Sequence, residues 1–292
     1  MRRTFSNFVG EIATTDKTVQ ILLGDIGVAN FDSFKEISPT NITNLGIMEQ
    51  SMVSIGAGLA REGLYPVLHT ITPFLIERAF EQIKVDFSYN KLQGLFVSVG
   101  GSFDYSKLGA THHCVNDVNF LSSLEGFDLY LPNSKEEVEA SLQEIFIRRS
   151  LSYLRIATNE QSLMKNAKMG LNLLKNGGLV NIVFSGPSIS NFSEDILRLP
   201  GNFYYLNKLS NDVDFSFFDF SLPTIIIEEF LEGTTRFALG NYGINFDRKV
   251  FSIGLKTSIL REYGARSELI SHYHLDQESV CLRIKGILDE LK

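Results

Sequence analysis

A chain of 292 residues with 44% hydrophobic content is long enough for two domains of ordinary size, each with its own core. The formal net charge of −7 is spread along the sequence without a block of Lys or Arg, which argues against nucleic acid as a partner. The two cysteines, Cys114 and Cys281, lie far apart and suggest neither a disulfide framework nor a metal knuckle, so a reducing compartment is expected.

The chain opens on the basic Met1-Arg2-Arg3, but Thr4-Phe5-Ser6-Asn7-Phe8 gives way to charge and Gly before the apolar core of a signal peptide forms. No run approaches the roughly 20 apolar residues of a membrane-spanning helix. A cytoplasmic protein without a membrane partner is the expectation. Further on, short apolar runs alternate with longer amphipathic stretches, the mark of βα units around a mainly parallel sheet. Strands are predicted at residues 19–23, 66–69, 95–99, 127–131 and 153–156. Between them, residues 48–61 repeat apolar side chains at helical spacing and stop before Gly63, and residues 74–87 do the same. Residues 134–148 read as a third helix, with Ser134 as N-cap ahead of Glu136 and Glu137. The Asn-, Lys- and Gly-rich stretch 159–178 then separates this pattern from a second one. It begins with a strand at 179–184, continues with strands at 224–227 and 249–252, and closes on a helix from Gln277 to about Leu291. The fold expected is α/β in two domains, residues 1–165 and 166–292.

The most informative segment is Leu45-Gly46-Ile47-Met48-Glu49-Gln50-Ser51-Met52-Val53, whose single acid stands among apolar and small residues at a helix start. A carboxyl group desolvated there would be suited to hold or exchange a proton near neutral pH. The plainer alternative is an exposed first-turn acid favoured by the helix dipole. Asp25, in Leu23-Gly24-Asp25-Ile26-Gly27, reads equally as a turn-stabilising residue. His112, His113 and Cys114 are consecutive on one loop, and three neighbouring side chains do not easily converge on one ion; no metal site is expected in this chain.

In order and spacing, several segments resemble the transketolase family. Gly46-Ile47-Met48-Glu49-Gln50 is similar to its G-I-x-E-Q signature, Phe74-Leu75 with Arg78-Ala79-Phe80-Glu81-Gln82-Ile83-Lys84 to its next helix, and Gly109-Ala110-Thr111-His112-His113 to its G-x-T-H loop. Together they span most of residues 18–160. The resemblance implies a thiamine-diphosphate site in which Glu49 hydrogen-bonds the cofactor's aminopyrimidine, Phe74 stacks on it, and His112 faces the reacting carbon and moves protons. It places Asp25 near the cofactor or a subunit interface. Arg78 and Arg155 could each hold a substrate phosphate bidentately, with structural ion pairing the favoured alternative for both.

What the sequence lacks is the family's metal motif, G-D-G followed some thirty residues later by Asn; only Gly24-Asp25-Ile26 is present. The diphosphate and its Mg2+ or similar divalent ion are therefore expected on a partner, an N-terminal transketolase subunit, in a heterotetramer. Residues 179–292 resemble the transketolase C-terminal domain more loosely, through Ile226-Ile227-Glu228-Glu229, Ile253-Gly254, Tyr263-Gly264 and His274-Leu275-Asp276. The implied reaction transfers a two-carbon ketol unit from a ketose to an aldehyde. A decarboxylating carboligase of the deoxyxylulose-phosphate-synthase type and a non-catalytic subunit of the same fold are the alternatives.

Two departures bear on the substrate, a sugar or sugar phosphate. Leu108 stands where transketolases have an Asp, and Gly100 where many have a His, the two side chains that bind sugar hydroxyls in relatives. Leucine accepts no hydrogen bond and Gly100 is expected to leave open space, which together imply a substrate without a hydroxyl at that carbon, or a bulkier one. The alternative is a loop on another path, with Asp104 or His113 taking over the contact.

Overall fold

The computed structural model describes residues 1–292 other than Ser162, Asp247 and Lys292. In chain order its first part runs α1 (Arg2–Thr15), β1 (Val19–Leu23), α2 (Asp32–Ile37), β2 (Ile42–Asn44), α3 (Glu49–Arg61), β3 (Tyr65–Ile71), α4 (Phe80–Gln82), β4 (Gly94–Val99), α5 (Asp117–Ser122), β5 (Phe127–Tyr130), α6 (Lys135–Arg148) and β6 (Leu151–Ile156). The second runs β7 (Leu171–Lys175), β8 (Asn181–Ser185), β9 (Asn202–Leu206), β10 (Lys208–Leu209), β11 (Thr224–Leu231), α7 (Thr234–Asn241), β12 (Val250–Leu255), α8 (Arg266–His272) and α9 (Gln277–Glu290).

Two sheets organise these elements. The first has seven strands in the order β10-β5-β6-β4-β3-β1-β2, all parallel except β10. Its central strands β3 and β4 are buried along their whole length, as expected where helices cover both faces. The second sheet has the order β12-β11-β8-β9-β7, with only β7 antiparallel. The chain after β9 crosses back to the first sheet, where β10 pairs with β5 and Tyr205 and Asn207 donate to Glu137 over 2.8 and 3.0 Å.

Several local expectations hold closely. Ser134 caps α6 by accepting from the Glu137 N–H at 3.1 Å, and Met48 is the residue before α3. The helix expected at 74–87 is different in kind. Wide π-type turns at Pro73–Glu77 and Ile83–Ser88 flank α4, with a break at Arg78 and Ala79. The Arg78 N–H reaches the Pro73 carbonyl five residues back, at 3.0 Å. Such widened turns concentrate at functional sites. Helix α1, whose buried side Phe5, Val9 and Ala13 packs on the first sheet, falls in the stretch weighed above only as a signal peptide, although Phe5, Phe8, Val9, Ile12 and Ala13 recur at helical spacing.

Parallel sheets bind ligands outside the carboxyl ends of their strands. Asp25 follows β1, Phe74 follows β3, Gly100 follows β4, and Glu49 opens the helix after β2. The topology thus brings residues scattered over 75 positions of sequence to one edge.

Candidate active site

Glu49 is buried, at 2% exposure, at the first position of α3. Arg78 donates to its Oε2 over 2.6 Å, giving the carboxylate a countercharge. Its Oε1 is buried and makes no hydrogen bond among the described residues. An acceptor left in that state is costly unless something else satisfies it. The Arg78 guanidinium carbon lies 4.4 Å from the centre of the Phe74 ring. Phe74 in turn meets His112 edge to face, with 5.2 Å between ring centres. A continuous row therefore runs Glu49, Arg78, Phe74, His112.

Beyond His112 the row continues to Tyr105, edge-on at 5.9 Å, and to Arg2 of α1, which donates to the Tyr105 hydroxyl over 2.8 Å. His112 is half-buried and its Nδ1 lies 2.9 Å from the Thr111 hydroxyl. Around the row stand apolar side chains open to solvent: Ile47 at 69%, Met48 at 56% and Leu108 at 50% exposure. Large apolar side chains left open next to Glu49 and on the His112 loop are the kind that another chain covers.

The remaining sequence-derived residues lie outside this row. Asp25 is exposed, in the left-handed region at φ 65°, and tied to Asn44 by two hydrogen bonds of 3.0 and 3.1 Å. Arg155 is turned inward: it donates to Asp117 over 2.7 Å and to the Ser102 hydroxyl over 2.8 Å, and lies over the Phe230 ring. A guanidinium so engaged and buried has no surface left for a phosphate. Gly100 does not leave open space, because the ring of Tyr105 occupies the position a Cβ would take. Asp104 is engaged with the backbone N–H and hydroxyl of Thr158 at 3.1 and 2.6 Å. His113 is buried, its ring nitrogens without a well-aligned hydrogen bond although the Ser106 and Leu260 carbonyls are near; burial holds its pKa below the usual value.

Tyr105 and Arg2 carry no signal of a site in the sequence, and Tyr263 stands out there only through the resemblance of the second domain. Tyr105 lies five residues after Gly100, yet nothing local signals that its ring folds back onto that glycine. Tyr263 comes from between β12 and α8 and packs on Gly109 in the His112 loop.

A parallel α/β chain that presents a half-satisfied buried acid, an aromatic ring and a histidine along its strand-end edge has one part of a site for a flat heteroaromatic group. Residues 1–165 match the family described as transketolase, pyrimidine binding domain, and the chain belongs to it. Membership brings dependence on thiamine diphosphate. The chain is 24% identical over 99% of its length, and 95% of the relative's, to an uncharacterized 33.6 kDa protein in the fasciation locus of Rhodococcoides fascians. It is 25% identical to a subunit of the apulose-4-phosphate transketolase of Actinobacillus succinogenes, over 66% of this chain and 63% of that protein. Among solved structures, a split gene transketolase described as an inactive beta4 tetramer shares its fold with a TM-score of 0.80 at 18% identity, over 98% of this chain and 96% of that one.

The residues present fit the pyrimidine end of that cofactor. The buried Oε1 of Glu49 has an acceptor position that a ring N–H would satisfy, and the half-buried Phe74 ring stands in the same row. Among the described residues no three His, Cys, Asp or Glu side chains gather to hold a metal ion, and no helix is long and apolar enough to cross a membrane.

Proposed function

We propose that this chain is the cofactor-activating subunit of a two-chain, thiamine-diphosphate-dependent transketolase acting in the cytoplasm. Residues 1–165 form its pyrimidine-binding domain and 166–292 its C-terminal domain. A separate N-terminal subunit supplies the diphosphate-binding domain with its divalent ion, two copies of each chain making the working unit. The reaction moves a two-carbon ketol unit from a ketose donor to an aldehyde acceptor, on a sugar outside the common pentose phosphates.

The observation that carries this reading is the state of Glu49, buried and paired through one oxygen while the other has no partner. Bound thiamine diphosphate would supply the carbon that takes up and passes on the ketol unit. Glu49 would accept a hydrogen bond from its pyrimidine and relay a proton there; Arg78 holds the carboxylate in place. Phe74 would support the ring by stacking. His112, next in the row, would move a proton to or from the substrate. The apolar rim at Ile47, Met48 and Leu108 supports the second chain, since it would be covered in the assembly. Two similar proteins point the same way: one is named as a subunit of a transketolase for apulose 4-phosphate, and the structural neighbour is a split-gene protein inactive as a tetramer of one chain.

Co-expression with a chain that carries a G-D-G…N domain, sought first in an adjacent reading frame, tests the proposal. The purified complex is expected to hold thiamine diphosphate and to transfer a ketol unit from a ketose without releasing carbon dioxide. Obligatory carbon dioxide release from a 2-oxo acid donor, with no ketose accepted, would favour the carboligase instead. A complex that binds the cofactor but turns over neither would favour the non-catalytic subunit.

A further inference from the structure

Gly100 follows β4 with φ at 81°, a conformation that L side chains rarely adopt. The space a side chain would need there is filled by Tyr105. Three elements hold that ring: Gly100 behind β4, His112 edge-on at 5.9 Å, and Arg2 of α1, whose guanidinium carbon is 5.4 Å from the ring centre and whose Nη2 donates to the hydroxyl. Arg2 makes no ion pair among the described residues, so the phenol is its one polar tether. Leu108, on the same loop, is half exposed.

The row has a direction. Its Glu49–Phe74 end is taken by the cofactor in the proposed function, so a substrate meeting His112 lies toward the Tyr105 and Leu108 end. We infer that Tyr105 is a specificity-determining residue, forming with Leu108 an apolar wall that favours a sugar whose carbon at that wall bears no hydroxyl. This rests on the transketolase reading. A hydroxyl pressed against an aromatic ring and a leucine loses its water without gaining a partner, a loss of about fivefold to a hundredfold in kcat/KM. The wall also explains the glycine: any larger residue at position 100 would displace the ring.

The test has two parts. In the isolated chain, Gly100→Ala is expected to lower Tm, and adding Tyr105→Ala to recover part of the loss, the backbone strain at φ 81° remaining. No recovery would show that the ring does not depend on the glycine and would overturn the inference. In the reconstituted complex, hydroxypyruvate serves as the donor, delivering its two-carbon ketol unit to an aldehyde with loss of carbon dioxide. Acceptors are ribose 5-phosphate and 2-deoxyribose 5-phosphate, and the quantity read is the ratio of their kcat/KM values. The unmodified complex is expected to favour the deoxy sugar by about tenfold or more. Tyr105→Ala and Leu108→Asp are each expected to shrink that ratio several-fold, while Tyr105→Phe, which keeps the ring, leaves it. A complex that makes product with no preference, or whose preference survives Tyr105→Ala, overturns the inference alone. A complex that makes no product from either acceptor overturns the inference, and one that in addition transfers no ketol unit from any ketose overturns the transketolase reading as well.

Discussion

The ring of Tyr263 lies against Gly109, three residues before His112, so tightly that it occupies the place of a Cβ on that glycine. The contact does not stand alone: Gly264 donates to the Ser106 carbonyl at 3.4 Å, and Phe103 stacks on Tyr273 with 5.6 Å between ring centres. The loop carrying His112 is thus shaped by residues more than 150 positions downstream. Gly109→Ala combines a clash with Tyr263 and a strained φ of 74°, and is expected to destabilise the isolated chain by about 1–3 kcal/mol. Thermal unfolding checks this, and an unchanged Tm would mean the loop is free of the contact.

Glu49→Gln is expected to leave the assembled enzyme folded but to slow turnover at least about a hundredfold, the usual scale for loss of a proton-transfer group. Near-normal turnover would make Glu49 a structural acid. Arg78→Ala, in contrast, leaves a buried carboxylate without its countercharge. It should lower the stability of the chain, and Glu49→Gln in the same molecule should recover part of the loss, a coupling that a double-mutant cycle reads directly.

The isolated chain should bind thiamine diphosphate weakly even with Mg2+ present. In the proposed assembly the partner holds the diphosphate and the ion, and most of the polar binding energy goes with them. Calorimetry on this chain alone decides the matter. A micromolar, magnesium-dependent affinity would overturn the two-chain reading.

A pH effect on stability is expected from Glu228 in the second sheet. Burial raises its carboxyl from 4.5 to about 7, although the Thr235 and Gly233 N–H groups at 2.8 and 2.6 Å oppose the shift. A raised folded value means that the contribution is present below pH 4.5 and lost as pH rises through about 7. Relative to Glu228→Gln, the unmodified chain should therefore lose stability by up to about 1.4 kcal/mol per pH unit across that window and run parallel above it. His69 works in the opposite sense. Burial lowers its pKa to about 4, so its contribution is present above 6.5 and lost as pH falls through 4. Denaturant titrations of the two proteins from pH 4.5 to 8 yield the difference curve; a flat one would show that Glu228 is not the source.

Much of the fold and part of the site were legible in the residues themselves. Alternating apolar runs and amphipathic stretches marked β1, β3, β4, β5 and β6 with helices α3 and α6, because burial on both faces of a parallel sheet imposes local patterns of residue type. Short elements such as β2 and β10 escaped, since so few residues carry no periodicity of their own, whereas α1 has a helical repeat from Phe5 to Ala13 that was passed over. The segments holding Glu49, Phe74 and His112 were recognisable in order and spacing. Which groups those residues touch was not: ion pairing was the favoured reading of Arg78 and Arg155, but no partner could be named for either, and Gly100 was an apparent gap. The tertiary structure decided each case by bringing in side chains distant in sequence, Asp117 and Ser102 onto Arg155, Tyr105 into the space at Gly100, and Tyr263 onto Gly109. Local pattern registers the polarity a position requires, whereas partner identity follows from chain crossings that no short stretch of sequence encodes.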